Sequence, residues 1–377
     1  MNNKWSNIFL GSIFVFNSAG VAANLLINTD LLGHSAIAGA ALTIAADANV
    51  TSDLAALGAL NIGARSVTQN IYAGMATSIE AGSITGNIYA GMAINVEADS
   101  KTGNIYAVQA AVIGNKSTVG DIYSAAAVTL NGSSSAQNIY SGASVSLVGV
   151  GSSAKDVYAV GAISGAGSST SNSPGYVPGT EIDEEKAKGD NSVALAQIKS
   201  AKLAYNDAYK DLKTNIDQVT TLAAGGSYIL TPGVYVGTAL TIGEGATIIF
   251  DGDGQKNPFW LFNLSTTVTT GKDNIFAVEN AGKGAAVLWN LGGGLSLGAG
   301  TAFIGTVLAT EATTGGAGSY VSCGNLFSLA DVTIGSVKSS DCLGAMINQV
   351  VPVSAPTPIA IFALGLIGLG LKRRRQR

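Results

Sequence analysis

NIYAGMATSIEAGSITG (residues 70–86) is followed at once by NIYAGMAINVEADSKTG (residues 87–103), and this pair of lines decides the fold. The opening unit, an Asx followed by an aliphatic, a tyrosine and a small residue, starts at Asn70, Asn87, Asn104, Asp121, Asn138 and Asp156. The spacing is 17 residues four times and then 18. Seventeen residues before Asn70 stands Asp53-Leu54, another Asx-aliphatic pair. Nine residues after each Asx runs a second aliphatic column: Ile62, Ile79, Val96, Ile113, Leu130 and Leu147. Small residues such as Ala76, Ala93, Ala110 and Ala127 fill the places between. Two short alternating apolar pieces per period, separated by Gly, Ser and Asn, predict a β-solenoid. One coil cannot bury its own apolar side, so coils stack at ~4.8 Å and pair their backbones. Glycine recurs within the period and the apolar spacing is two, which excludes helical repeats.

The Asx column reads as a turn ladder whose side chains bond backbone groups. The tyrosine column (Tyr72, Tyr89, Tyr106, Tyr123, Tyr140 and Tyr158) has two readings, and both stay open. Pleat alternation turns these rings outward, as an aromatic stripe for extracellular polysaccharide or another partner surface. The same rings serve equally as a packed ladder under a helix.

Composition narrows the function classes. Of 377 residues 47% are hydrophobic and only 12% are charged, about half the usual charged share. There are 49 glycines beside 7 prolines, which signals many tight turns. The single histidine, His34, excludes a multi-histidine metal site and argues against a His-dependent triad. With a net charge of −4 and no basic patch interleaved with aromatics, no nucleic-acid partner is expected. The reading is a non-enzyme without metal or cofactor. Glu80 and Glu97 share a column, but no basic partner column accompanies them as a lyase would require. Asp251-Gly-Asp253-Gly lacks the glycine and the glutamate of a calcium loop, and reads as a turn.

Both ends read as addresses. Residues 1–23 carry Lys4, an apolar run from Ile8 to Phe16 and small residues up to Ala23, the layout of a secretory signal. At the other end, residues 351–377 hold an apolar stretch from Pro358 to Leu371 and then Lys372, Arg373, Arg374, Arg375 and Arg377. That layout resembles the PEP-CTERM sorting signals, with Ser354-Ala355-Pro356 in place of the Pro-Glu-Pro motif. It implies transient membrane contact before processing, and a plain anchor is the other reading. Without +1 at the leader and +5 at the tail, the body carries −10. In an exported chain Cys323 and Cys342 are expected to form one disulfide.

The body divides at its composition shifts. Residues 24–163 hold the repeats, residues 164–191 form a Ser/Gly/Pro-rich linker, and residues 192–350 form a second half. From Ser192 to Leu212, Leu195, Ile198, Ala201, Ala204 or Tyr205, Ala208 and Leu212 recur at helical spacing. Leu230-Thr-Pro-Gly-Val-Tyr235, Leu240-Thr-Ile-Gly243, Asn257-Pro-Phe-Trp260, Val287-Leu-Trp-Asn290 and Leu297-Gly-Ala-Gly-Thr-Ala-Phe-Ile-Gly-Thr306 then follow in order. That succession, over roughly residues 192 to 338, resembles the microbial ice-binding-like β-solenoid family. The resemblance implies a mainly β fold: a discontinuous β-solenoid with one long helix alongside, here extended by the N-terminal 17-residue array.

It also implies a secreted protein, extracellular or at the cell surface, whose partner is an ice crystal. Threonine suits such a face because a methyl and a hydroxyl sit on a stiff χ1, repeated by stacked strands. The candidates are Thr241, Thr247, Thr266, Thr269, Thr270, Ser296, Thr301 and Thr306. Thr270-Gly271-Lys272-Asp273 departs from the family's Thr-(Ala/Gly)-x-(Thr/Asn) pattern and adds two charges.

Overall fold

The structure is a computed structural model that describes residues 31, 33–165, 192–209, 221–282 and 284–337. The segments expected to be a leader (residues 1–23) and a sorting tail (residues 351–377), with Leu212 and Cys342, lie outside the described residues. Cys323 is disulfide-bonded.

Each coil contributes short strands to three faces in turn. The first strand is typified by Ile71–Ala73 and Ile88–Ala90, the second by Thr77–Ile79 and Ile94–Val96. Three-residue strands with an in-out-in pattern put Ile71, Ala73 and Ile79 into the core and leave Tyr72 and Ser78 outside. Among the described residues the first and second faces are parallel sheets of fourteen strands each, and the third holds a sheet of six. The third face continues through the repeats as isolated bridges from Asn49 to Val67, Ile84, Lys101 and Thr118.

Order along the solenoid departs from order along the chain. Strand His34–Ala38 pairs on one side with Asp53–Ala56 and on the other with Leu326–Ser328. On the second face Leu42–Ile44 lies between Leu60–Ile62 and Val332–Ile334. The chain therefore starts near the middle and climbs by 17-residue coils to Ser153–Ala159. It re-enters at the opposite end with Thr221–Leu222 and climbs back to Ser336–Val337 beside its own first coil. The repeats and the second half, which the sequence separates into two segments, share the same sheets.

Ladders of polar side chains tie the repeats together. The Asx side chains from Asp53 to Asp121 accept from the backbone of the next coil: Asn70 N–H donates to Asp53 at 3.0 Å, Asn87 N–H to Asn70 at 2.9 Å and Asn104 N–H to Asn87 at 2.8 Å. A second, buried ladder of Ser66, Ser83, Ser100 and Ser117 satisfies backbone groups at the turn after the second strand. That turn needs one left-handed residue per coil, supplied by Asp47, Arg65, Gly82, Asp99, Lys116 and Ser133.

One helix, α1 (Ser192–Tyr209), packs on strands His34–Ala38 and Phe259–Leu264. Ile198, Ala201 and Tyr205 are buried, so the inner position is Tyr205, while Ala204 is half-buried. Lys202 is buried as well, which the apolar spacing did not anticipate. Its ammonium donates to the carbonyl oxygens of Leu291 and, at 2.8 Å, Leu308, and to Asn290 Oδ1 at 3.2 Å. Asn290 in turn donates to Asn263 Oδ1 at 2.7 Å and Asn206 Oδ1 at 2.9 Å. Desolvation by burial pulls the Lys202 pKa down from 10.5 to about 8.

Candidate binding face

The second face carries one outward residue per coil, and strand register aligns them. From the re-entry end the column reads Thr221, Thr241, Thr269, Ser296, Thr314 and Thr333. It crosses from Thr333 to Thr43 and continues through Asn61, Ser78, Asn95, Val112, Thr129, Ser146 and Ser164. None of these fourteen positions is charged. At ~4.8 Å per strand the column is about 60 Å long. Beside its repeat part runs a line of small residues, Ala41, Ala59, Ala76, Ala93, Ala110 and Ala127, held by coil-to-coil backbone bonds, and in the second half the same edge holds Thr267, Gly294, Ala312 and Asp331. On the other edge of the second half stand Gly243, Gly271, Gly298, Gly316 and Gly335; the repeats put Glu80 and Glu97 there. The Glu80 carboxylate folds back to accept from Ala64 N–H at 3.1 Å. Lys272 is paired with Glu244 at 2.9 Å.

The eight residues singled out from the sequence do not all meet on this face. Thr241, Thr269 and Ser296 do, one per strand and exposed. Thr266 lies at the corner before the strand, its hydroxyl donating to Thr238 O at 2.6 Å. Thr247 stands half-buried on the third face, between Ser227 and Ile275. Thr270, Thr301 and Thr306 are buried and offer no surface to a ligand. Thr270 and Thr301 face each other inside, 3.4 Å apart, and Thr301 donates to Gly271 O. For Thr270 the physical reason is parity, since in its three-residue strand only the central side chain points out. Thr301 precedes the strand Ala302–Ile304, and Thr306 is in phase with Leu308 on the covered outer side of the first face. The other column members were missed although their signal was present, since Asn61, Ser78, Asn95, Val112, Thr129 and Ser146 each precede a member of the second aliphatic column.

The tyrosine ladder lies on the first face. Tyr72 through Tyr158 stack in sequence with centroids 4.7–5.0 Å apart and ring planes within 6° of parallel. All six are half-buried. Tyr89, Tyr106, Tyr123 and Tyr140 have another ring on each face, so a sugar ring cannot stack on them, and only ring edges remain. Toward the seam this outward column becomes Ala55, Ile37, Phe327, Leu308 and Asn290, all buried, on the face where α1 packs.

Asp251 and Asp253 form a turn, with Asp253 N–H donating to Asp251 Oδ1 at 3.0 Å. Among the described residues no group of three His, Cys, Asp or Glu side chains could hold a metal ion.

Comparison with known proteins gives this face a context. The ice-binding-like family matches residues 122–339. An ice-binding protein from Nostoc sp. (strain HG1) is 30% identical over 209 residues, covering 55% of this chain and 74% of that protein. Among solved structures, the ice-binding protein of the Antarctic ascomycete Antarctomyces psychrotrophicus is 20% identical, with a TM-score of 0.34, over 56% of this chain and 92% of that one. An ice-binding protein from an Antarctic biological consortium is 15% identical, with a TM-score of 0.39, over 86% and 93% of the two chains. These superpositions are too loose to bear on the face. The family match, spanning more than half of the residues, and the Nostoc relative do bear on kinship: the chain belongs to the ice-binding-like family.

Proposed function

We propose that the protein adsorbs to ice through its second face, without catalysing a reaction. The observation that carries this reading is the column Thr221, Thr241, Thr269, Ser296, Thr314, Thr333 and Thr43, set at strand spacing and edged on one side by Gly243, Gly271, Gly298, Gly316 and Gly335. Ice offers a flat, periodic, uncharged surface. Threonine methyls exclude mobile water while the hydroxyls hold ordered water at a fixed repeat, and parallel pairing keeps that repeat rigid. Many small contacts add up over the face, so no single residue dominates. Family kinship supports the reading.

Export fits the same role. Residues 1–23 act as a secretory leader and residues 351–377 as a sorting signal or anchor, which places the acidic body outside the cell.

The test is thermal hysteresis and ice-recrystallisation inhibition by the chain without leader and tail, beside a Thr269→Tyr, Thr314→Tyr double variant. Both threonines are exposed at the centres of their strands, so the variant should keep the parent's melting temperature and lose ice activity. A folded parent with no activity at sub-millimolar concentration would overturn the proposal.

A further inference from the structure

The family match and the coil order do not coincide along the solenoid. The match covers residues 122–339, yet strands Ile122–Ser124 and Leu326–Ser328 are not neighbours on the first face. Between them stand strands His34–Ala38, Asp53–Ala56, Ile71–Ala73, Ile88–Ala90 and Ile105–Ala107, all outside the match. A stretch that lies at one end of the sequence thus sits in the middle of the molecule. It parts the matched segment into two blocks and keeps every register on both sides.

We infer that residues 34–121 are a length-setting insert: whole coils added at mid-solenoid that carry extra binding residues and lengthen the face. The inference rests on the ice-binding reading above. Three observations support it. First, these coils continue the outward column of the second face without a break, adding Thr43, Asn61, Ser78, Asn95 and Val112 between Thr333 and Thr129. Second, the five added members are uncharged and are flanked by the Ala59, Ala76, Ala93 and Ala110 line. Third, the coils repeat nearly the same bonds: Asx to backbone, Ser to backbone, ring on ring. Removing whole periods therefore rejoins like with like. At ~4.8 Å per coil, five coils contribute about 24 Å of the face.

The experiment uses the full chain, a deletion of residues 70–103 (two periods, joining Gln69 to Asn104), and an Asn61→Tyr, Asn95→Tyr double variant. Lys101→Tyr, on the third face, is the control. Circular dichroism and melting report the fold; thermal hysteresis at equal molar concentration reports the face. The expected result is a folded, cooperatively melting deletion with reduced hysteresis, a matching loss in the Asn double variant, and no loss in Lys101→Tyr. A deletion that fails to fold would overturn the modular insert. If the deletion and the Asn double variant keep full hysteresis while Thr269→Tyr, Thr314→Tyr loses it, the insert adds no binding surface and the inference falls alone. A folded parent without hysteresis overturns the ice reading itself, and this inference with it.

Discussion

At the scale of single residues, the coil position of a side chain matters more than its type. Thr269 and Thr306 are both strand threonines, but one is exposed and the other fully buried with a hydroxyl that has no partner among the described residues. A buried unsatisfied hydroxyl is a cost, so Thr306→Val should be neutral or stabilising by up to ~1 kcal/mol. Asn87 is the opposite case, because its side-chain oxygen accepts from Asn104 N–H at 2.8 Å inside the Asx ladder. Asn87→Ala leaves that donor unmet and should cost ~1–3 kcal/mol. Urea unfolding of the two variants beside the parent measures both; equal destabilisation by the two would contradict the argument.

At the scale of elements, α1 shows how a polar group can fasten a helix to a sheet. Lys202 points inward from the helix and satisfies carbonyl oxygens of Leu291 and Leu308, which belong to neighbouring strands. Its folded pKa of about 8 lies below the ordinary 10.5, so between those values the unfolded chain holds a proton that the folded chain has released. Stability should therefore rise with pH across that window, by on the order of 3 kcal/mol. Tyr72 acts in the other direction higher up. Desolvation, with Asp53 and Tyr89 nearby, pushes its phenol to about 12, and stability from that group falls as pH climbs from 10 toward 12. Lys202→Met should abolish the rise between pH 8 and 10 and leave the later fall. Chemical denaturation across pH for parent and variant checks this, and an unchanged slope in the variant would refute the assignment.

At the scale of the whole molecule, chain order and coil order are offset at the seam. Coil Leu326–Val337 lies directly beneath coil His34–Val50, with Asn325 donating to His34 O at 2.5 Å and Thr51 N–H to Val337 O at 3.3 Å. The natural continuation of the climb after Val337 is His34. A circular permutant that joins Val337 to His34 through a short linker, and opens between residues 165 and 192, preserves every strand pairing. The permutant leaves out Cys342, so its reference is the Cys323→Ser parent. Beside that reference it should fold to the same β content with a melting temperature within a few degrees, because linker length changes stability only weakly. Circular dichroism and calorimetry provide the check. A permutant that stays unfolded would show that the original connection is required.

Much of this was legible from the sequence. The 17-residue period fixed the solenoid, since Asx, aliphatic, tyrosine and small positions recur in phase and only stacked coils can bury the aliphatic columns. The helix was legible from Ile198, Ala201 and Tyr205 at helical spacing. In the second half coils vary in length, so no period told which threonines point outward. Thr241, Thr269 and Ser296 became a row, Thr270 and Thr301 interior, and Thr306 part of the covered first face, only when strand register was known. Lys202 was hidden because its partners are backbone carbonyls about ninety and a hundred residues away, which no local pattern encodes. The sequence by itself determined the coil, because its signals are periodic and local. Only the tertiary structure decided the order of coils along the axis and the line of the face, because pairing His34–Ala38 with Leu326–Ser328 joins residues nearly three hundred positions apart.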